Sequence, residues 1–234
     1  MTHRILIAED DVDIIDLLSL YLCGSGLEVL SATDGEQALA ILQKEQISLM
    51  LVDLMMPKMD GYQLIRTVRQ TSNLPIIILS ARSMEEEKIL GLNIGADFYI
   101  TKPFNPAEVV AYVQSLLRRF YQLGADANAE TQTQGVICSG DLELDTRSFT
   151  LKKRGKLIPL TSTELKLVAA MMKKPGQIFT KAQLYECLNG NYLESDSNTV
   201  MVHISNIRSK LEDNPGQPEH IITVRGLGYK FEAR

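Results

Sequence analysis

Several apolar segments of the sequence end in residues that could together accept a phosphoryl group. Asp53 follows the apolar run Leu49–Val52, and Glu9 and Asp10 follow the run Ile5–Ala8. A lone aspartate in such a position would be a turn residue or a helix cap. Carboxylates that lie close together repel one another unless a cation neutralises them. An oxygen-rich site with few protein ligands suits Mg²⁺, which keeps several of its waters.

Two further segments supply a lysine and a hydroxyl group. Ser80 follows the apolar run Ile76–Leu79, and Lys102 follows the run Phe98–Ile100. A carboxylate nucleophile beside Mg²⁺, an ammonium group and a hydroxyl has the parts needed to receive a phosphoryl group and to stabilise its charge. The pattern predicts that Asp53 is the phosphoacceptor, with Lys102 and Ser80 close to it.

The order of the predicted elements brings these segment ends together. Short apolar runs alternate with amphipathic stretches such as "DIIDLLSLYL" and "GEQALAILQK". This alternation predicts an α/β domain with a five-stranded parallel, doubly wound sheet of flavodoxin-like order. In such a sheet the carboxyl ends of the strands meet around a topological switch point.

The second half of the chain has a different pattern. The segment "DLELDTRSFTLKKRGKLIPL" alternates with a period near two, which predicts antiparallel strands. Capping boxes that begin at Thr161 and Thr180 open two helices. A third helix is predicted over Ser197–Glu212, and "IITVRGLGYKF" would form two short strands. Three helices and a terminal hairpin predict an α+β winged helix-turn-helix domain.

Charge and composition divide the chain into parts. Residues 1–122 carry a net charge of −6, residues 123–135 carry −2, and residues 136–234 carry +3. The middle segment is small, polar and bounded by glycine, so we predict a flexible linker over 123–135 between domains 1–122 and 136–234. A mildly basic second domain is compatible with a nucleic-acid partner, although +3 alone does not decide this.

Other classes of protein are disfavoured. No apolar run approaches the ~18 residues that span a bilayer, so we expect no membrane contact. The three cysteines, Cys23, Cys138 and Cys187, are odd in number and far apart, which indicates a reduced, cytoplasmic setting. The sequence has no G-x-x-x-x-G-K nucleotide loop.

Over nearly its whole length the chain resembles two-component response regulators of the OmpR/PhoB type. The motifs of the first domain are "ILIAEDD", "LMLVDLMMPKMDGYQL", "IIILSAR" and "GADFYITKPF"; those of the second are "LTSTELKLV", "TVMVHISNIRSKL" and "ITVRGLGYKF". The resemblance implies a receiver domain in which a sensor histidine kinase phosphorylates Asp53. Phosphorylation would promote dimerisation of the receiver and sequence-specific DNA binding, and the protein would not be an enzyme.

The resemblance also implies roles for the residues of the receiver. Asp10, Asp53 and the backbone carbonyl of Met55 would ligate Mg²⁺, and Glu9 would act through a water molecule. Lys102–Pro103 would be a cis peptide, with Lys102 in contact with the phosphoryl group.

The switch between receiver states would involve Ser80 and Tyr99. Ser80 would turn toward the phosphoryl oxygens, and the Tyr99 ring would move inward. A phosphoryl group adds roughly −1.5 to −2 charge and three acceptor oxygens, so a nearby hydroxyl gains a strong hydrogen bond.

The family's dimer face maps onto the fourth helix, the fifth strand and the fifth helix, here with Lys88, Asp97, Phe98, Glu108, Tyr112 and Arg119. The sequence departs from the family there: Phe98 stands where a second aspartate is usual, and Tyr112 and Gln114 stand where arginines are usual. The change is either drift on a solvated surface or a dimer interface held partly by apolar contact. The second interpretation predicts dimerisation that is less sensitive to salt.

The third helix of the second domain would enter the major groove of DNA. On a helical wheel Val200, Ile204, Ile207 and Leu211 form a core stripe, and the opposite face carries Asn198, Val202, Ser205, Asn206 and Ser209. The predicted DNA contacts are Thr199, Val202, Ser205, Asn206, Arg208, Lys210 and Arg225.

These contacts divide by their chemistry. Asn206 would pair with adenine and Val202 would pack on a thymine methyl group, which favours A/T-rich tandem half-sites. Thr199, Arg208 and Lys210 would bind phosphates, and Arg225 would enter the minor groove.

Some positions of this domain differ from the family pattern. Asn206 stands where arginine is common, and Met201 stands where aspartate is usual. The loop Asn189–Ser197 corresponds to the region of relatives that contacts RNA polymerase, but it lacks their tryptophan at position 189.

Two alternatives remain at this point. The protein could be a constitutive regulator that uses the receiver only to dimerise. It could also be a phosphatase with Asp53 as nucleophile, although such enzymes usually carry a second acid two residues on, where this chain has Met55.

Overall fold

The protein divides into two compact units, Met1–Arg119 and Phe120–Arg234. The structure is a computed structural model and describes residues 3–81, 85–122, 135–146, 150–189 and 197–233. The predicted linker, 123–135, lies outside the described residues except for its last position. The domain bounds given above therefore stay predictions.

The first unit contains the predicted parallel sheet. Its strands pair in the order β2-β1-β3-β4-β5, and all neighbours run parallel. They span Arg4–Ala8 (β1), Glu28–Ala32 (β2), Leu49–Asp53 (β3), Ile76–Ser80 (β4) and Phe98–Thr101 (β5). The predicted α/β class and strand order are confirmed, and Asp53 and Ser80 are the last residues of their strands.

The helices of this unit follow the strands in turn. They span Val12–Gly24 (α1), Gly35–Lys44 (α2), Gly61–Arg69 (α3), Glu85–Asn93 (α4) and Pro106–Gln122 (α5). Asp11, Asp34 and Asp60 are the N-caps of the first three helices, and each side chain accepts hydrogen bonds from N–H groups of the first turn. Asp11 is therefore a helix cap, and Glu9 and Asp10 are the acids left to the site.

Both faces of the sheet are covered, because successive side chains of a strand point to opposite sides. From β1, Ile5 and Ile7 join a core cluster with residues of α1 and α5. Leu6 and Ala8 join a second cluster with residues of α2 and α3. The sheet therefore lies between two helical layers, with Asp53 and Ser80 at the carboxyl ends of their strands.

Where it is described, the second unit combines two antiparallel sheets with three helices. One sheet has the order β6-β7-β8-β9, and the other has the order β10-β12-β11. The strands span Val136–Ser139 (β6), Leu142–Asp145 (β7), Thr150–Lys153 (β8), Lys156–Ile158 (β9), Ile178–Phe179 (β10), Ile221–Val224 (β11) and Gly228–Phe231 (β12). This confirms the α+β winged-helix class, whereas β6 and the two-residue β10 were not predicted.

The three helices of this unit are Ser162–Met172 (α6), Lys181–Asn189 (α7) and Ser197–Leu211 (α8). Thr161 caps α6 in a capping box with Glu164. Thr180 and Gln183 make the same reciprocal hydrogen bonds at the start of α7. Both predicted capping boxes are therefore confirmed.

A buried polar cluster joins the end of α8 to the start of β11. Glu212 accepts hydrogen bonds from the backbone N–H groups of Glu219, His220 and Ile221. The His220 ring lies between two carboxylates: Nδ1 is 3.1 Å from Oε2 of Glu212, and Nε2 is 2.9 Å from Oδ1 of Asp141. Since Asp141 lies in the turn between β6 and β7, the cluster ties both sheets to the helix.

The two titrating groups of this cluster shift in opposite directions. The hydrogen bond with Glu212 raises the pKa of His220, and Asp141 raises it further against the effect of burial. Burial would raise the pKa of Glu212, but His220 and the backbone donors outweigh burial and lower that pKa to about 2.

We predict a pH window in which this cluster stabilises the fold most. His220 contributes fully below its ordinary pKa of 6.5, and this contribution is lost as the pH rises through the raised pKa. Glu212 contributes fully above its ordinary value of 4.5, and this contribution is lost as the pH falls toward about 2. Stabilisation is therefore greatest between these ordinary values.

The measurement is urea unfolding of the whole chain, followed by circular dichroism, inside this window and on its acid and alkaline sides. His220→Gln should lose most stability inside the window, and its deficit should shrink at alkaline pH. Glu212→Gln should show a deficit that shrinks at acid pH. Deficits that do not change with pH would contradict the assignment.

Candidate phosphoacceptor and DNA-binding sites

Asp53 lies at the carboxyl end of β3 in a tightly packed setting. The residue is 6% exposed. Its Oδ1 accepts a hydrogen bond of 2.9 Å from the Met55 N–H. The start of α3 packs directly on the strand end, because a Cβ atom at Gly61 would lie 2.2 Å from the Asp53 carbonyl oxygen. The glycine of the "MDG" motif therefore lets α3 approach the aspartate closely.

Lys102 joins two of the predicted carboxylates. Its Nζ is 2.5 Å from Oδ2 of Asp53 and 2.6 Å from Oε2 of Glu9. These residues come from the ends of β3 and β1 and from the segment after β5. The Lys102–Pro103 peptide is cis, as the family resemblance implied. The predicted convergence of strand ends is thus present in the structure.

Burial and charge shape the electrostatics of this cluster. Burial raises the pKa of Glu9 to about 7, against the opposing effect of Lys102, and the negative charge of Asp53 adds to the rise. Burial lowers the pKa of Lys102, but hydrogen bonds to Asp53 and Glu9 outweigh it and raise the pKa overall. The ammonium group therefore stays charged between the acids.

The cluster has the donors that a hard cation requires. Ligand oxygens of Glu9, Asp10 and Asp53 lie within 4.8 Å of one another, and Asp10 is exposed while the other two are buried. An all-oxygen donor set suits Mg²⁺, Ca²⁺ or Mn²⁺. The residues present therefore fit a divalent cation that enters from the side of Asp10.

The predicted switch pair lies beside this cluster. Ser80 is fully buried at the end of β4, and its carbonyl accepts a hydrogen bond of 2.7 Å from the Lys102 N–H. Tyr99 of β5 is 5% exposed, so its ring occupies the inward position. The movement of the ring on phosphorylation stays a prediction.

A glycine in α4 makes room for the Tyr99 ring, and the sequence analysis did not identify it. A Cβ atom at Gly91 would lie 2.8 Å from Cδ1 of Ile78 and 3.1 Å from Cδ2 of Tyr99. Glycine in the interior of a helix costs about 1 kcal/mol relative to alanine. Such an isolated glycine in a helical pattern is itself a signal of close packing.

Of the two aromatic residues of the predicted dimer face, Phe98 is buried in the core at 9% exposure, and Tyr112 is half-buried against it. The rings of Phe98 and Tyr112 have centroids 4.2 Å apart and planes tilted by 34°. Lys88 is half-buried, and Glu108 is exposed. The side chain of Arg119 lies outside the described residues.

The side chain of Asp97 does not lie on the predicted dimer face. Its carboxylate is 0% exposed and lies 3.0 Å from Nη2 of Arg69. The same oxygen accepts a hydrogen bond of 2.9 Å from the Ile76 N–H. Arg69 also donates to the carbonyls of Gly95 and Leu74. Asp97 therefore holds α3, β4 and β5 together, and its carboxylate faces the interior rather than the dimer face.

In the second unit, the predicted core stripe of α8 is confirmed. Val200, Ile204, Ile207 and Leu211 are all at most 1% exposed. Val202, however, is only 8% exposed, although the wheel placed it opposite the core. Because α8 packs against both α6 and α7, it buries a wider arc than a single stripe. Val202 is therefore buried, and the prediction that it lies on the exposed side of α8 is wrong.

The basic residues of α8 have partners within the domain. Arg208 donates through Nε and Nη2 to the Ile221 carbonyl and stacks over the Tyr229 ring, 5.6 Å from its centroid. Lys210 Nζ is 2.6 Å from Oε2 of the buried Glu164. Both cations therefore stabilise the domain through internal contacts.

The remaining predicted contacts differ in exposure. Ser205 and Arg225 are exposed, whereas Thr199 and Asn206 are half-buried. The loop residues 190–196, predicted to meet RNA polymerase, lie outside the described residues. In the part of the chain that is described, no helix is both long and apolar enough to span a bilayer.

Comparison with known proteins agrees with both units. The family "Response regulator receiver domain" matches residues 5–114, and "Transcriptional regulatory protein, C terminal" matches residues 155–231. Response regulator GtcR of Aneurinibacillus migulanus is 41% identical, over 100% of this chain and 97% of its own length. DNA-binding response regulator MtrA of Mycolicibacterium smegmatis is 37% identical, over 98% and 97%.

Solved structures give the same result. A mutant of RitR has a TM-score of 0.78 at 26% identity, covering 99% of this chain and 100% of its own. DrrB, an OmpR/PhoB homologue of Thermotoga maritima, has a TM-score of 0.52 at 29% identity, with full coverage of both chains.

We predict that Gly91→Ala destabilises the receiver unit. The better helix propensity of alanine, about 1 kcal/mol, should be exceeded by overpacking against Ile78 and Tyr99, which typically costs ~1–3 kcal/mol. The matched control is Gly24→Ala in α1, where an added Cβ meets nothing within 4 Å. Urea unfolding of both variants is the measurement. A Gly91→Ala variant more stable than the unaltered protein would contradict the packing argument.

Proposed function

Because this chain belongs to the OmpR/PhoB-type family of two-component response regulators, we propose that phosphorylation of Asp53 by a sensor histidine kinase controls its DNA binding and thereby transcription. The observation that carries this proposal is the Lys102 ammonium group held between Asp53 and Glu9. The chain is a transcription factor and not an enzyme of the phosphatase class considered above.

In the transfer step, a carboxylate oxygen of Asp53 forms a bond to phosphorus while the P–N bond of the kinase phosphohistidine breaks. The electron pair of that bond stays on the imidazole nitrogen, which then takes a proton. Lys102 already contacts the attacking carboxylate, so its charge is in place to stabilise the equatorial oxygens. Burial of Asp53 keeps bulk water away from the product.

The metal implied by this chemistry is Mg²⁺, and the residues that would hold it are Asp10, Asp53, the Met55 carbonyl and, through water, Glu9. When bound, it supplies charge stabilisation for the phosphoryl oxygens. Asp10 is the exposed member and would meet the ion first.

Phosphorylation would then act through Ser80 and Tyr99. The Ser80 hydroxyl would bind a phosphoryl oxygen, and the Tyr99 ring, already buried beside Gly91, would be held in this inward position. Since Tyr99 lies on β5 next to Phe98, fixing the ring would affect the proposed dimer face.

Dimerisation of the receiver would use Lys88, Phe98, Glu108, Tyr112 and Arg119. Tyr112, half-buried against the buried Phe98, would give this face an apolar group where relatives use charges. Asp97 is left out of the proposed face because it is bonded to Arg69.

DNA binding would use the exposed side of α8 and the β11–β12 hairpin. We keep Ser205 and Asn206 as proposed contacts in the major groove, Thr199 as a proposed phosphate contact, and Arg225 as the contact in the minor groove of A/T-rich tandem half-sites. For Val202, Arg208 and Lys210, contacts inside the domain compete with the proposed contacts to DNA.

Several parts of the proposal rest on the sequence and the family alone. These are the contact with RNA polymerase, the cytoplasmic location, and the bounds of receiver, linker and winged helix at 1–122, 123–135 and 136–234. A constitutive regulator remains the second candidate, because the buried position of Tyr99 is the one expected of an active receiver.

We predict that acetyl phosphate with Mg²⁺ adds one phosphoryl group to the intact protein. Mass spectrometry of the whole chain should show the addition, and Asp53→Asn should remove it. Lys102→Ala should slow the addition. Unchanged mass for well-folded protein, beside a labelled positive control, would exclude the mechanism. Equal DNA affinity with and without phosphorylation would favour the constitutive candidate.

We also predict that dimerisation depends weakly on salt. The measurement is the dissociation constant of the dimer formed by the whole, unsubstituted protein, determined by sedimentation. It should change little between about 0.05 and about 0.5 M salt, because salt screens charges and not apolar contacts. The variant Tyr112→Arg restores one charge usual in relatives and leaves the buried Phe98 in place, so it should make the dimer more salt-dependent. A strictly monomeric protein, or strong salt dependence without substitution, would contradict the apolar interface.

A further inference from the structure

The exposed side of α8 differs from the one that the sequence indicated. Met201, Ser205 and Ser209 are exposed, and their spacing of four residues places them along one line of the helix. Val202 and His203 beside them are buried. The exposed line therefore carries one large apolar side chain, Met201, which is 43% exposed.

A cation lies next to this apolar side chain. Lys181, the first residue of α7, places its Nζ 3.0 Å from the Met201 sulfur. The contact is exposed, so the ammonium group is open to a ligand. Neighbouring helices thus present an apolar group and a positive charge side by side.

A groove continues from this point toward the β11–β12 hairpin. It has a volume of about 330 Å³ and runs from Lys181 to Thr223, Val224, Leu227 and Tyr229. Its rim at the hairpin lies next to Arg225, the proposed minor-groove contact. A nucleic-acid backbone that passes Lys181 would therefore have room between helix and hairpin.

A thymine nucleotide of a DNA strand matches this arrangement in its chemistry. Its C5-methyl group is the one apolar group that a base pair shows in the major groove, and its phosphate is the anion of the same strand. We propose that Met201 packs on a thymine methyl group and that Lys181 binds a phosphate of that strand. This inference rests on the proposed function, since it requires that α8 enter the major groove.

Two properties separate the roles of these residues. Met201 would act on sequence preference, because only thymine offers the methyl group. Lys181 would act on affinity for all sequences and on its salt dependence, because phosphates are the same everywhere.

The experiment begins with selection of preferred duplexes from a random library by the phosphorylated whole protein. Each thymine of the selected half-site is then replaced by uracil, which lacks only the methyl group. One position should weaken binding by roughly fourfold, the effect of one buried methyl group. Met201→Ala should bind the thymine and uracil duplexes equally at that position, whereas Met201→Leu should keep the discrimination.

Lys181→Ala serves as the matched comparison. It should weaken binding to all duplexes alike and reduce the slope of log affinity against log salt by about one. It should leave the preference for thymine over uracil unchanged.

The outcomes distinguish this inference from the function on which it rests. If the protein selects a sequence but no thymine is sensitive to uracil, or if Met201→Ala keeps the discrimination, the inference fails and the proposed function stands. If the phosphorylated protein selects no DNA sequence, the proposed function fails and the inference fails with it.

Discussion

The contact on which the receiver site depends is the Lys102 ammonium group between the carboxylates of Asp53 and Glu9. Two buried acids at 1% and 6% exposure would repel one another strongly without a cation, and the lysine supplies it. Lys102 also bonds through its backbone to Ser80 of the neighbouring strand. Lys102 therefore joins the Asp53 and Glu9 carboxylates to the backbone carbonyl of Ser80. A phosphoryl group on Asp53 would bind Lys102 and Ser80 together, which links the chemistry to the switch.

The sequence was sufficient for the parts of this site that follow from strand order. Parallel strands bring their carboxyl ends together whatever their lengths, so Asp53, Glu9 and Lys102 could be predicted to meet. The partner of Asp97 could not be predicted in this way. Arg69 lies 28 positions earlier, at the end of α3, and no periodic pattern relates the two residues. The contact of Gly91 could not be predicted either, because it depends on the Tyr99 ring, which approaches from β5.

The winged-helix unit shows a second limit of sequence patterns. A helical wheel identified the core stripe of α8, because a stripe of period 3.6 needs only one neighbouring surface. It misplaced Val202, because two helices pack on α8 and bury a wider arc. Counting charges had a similar limit. Arg208, Lys210 and Lys153 all have acceptors inside the domain, so a net charge of +3 overstates the cations open to DNA.

Because these cations have acceptors inside the winged-helix unit, DNA binding by this chain would depend strongly on its receiver unit. Counterion release supplies much of the affinity of most DNA-binding domains, and it scales with the number of phosphate contacts. A domain that directs three of its cations inward has fewer for that purpose, so one copy alone would hold DNA weakly. Joining two copies through their receivers makes the second binding event intramolecular and raises avidity without any new DNA contact. Control of dimerisation at the aromatic face would therefore control DNA binding more effectively in this chain than in a relative with a strongly basic recognition helix.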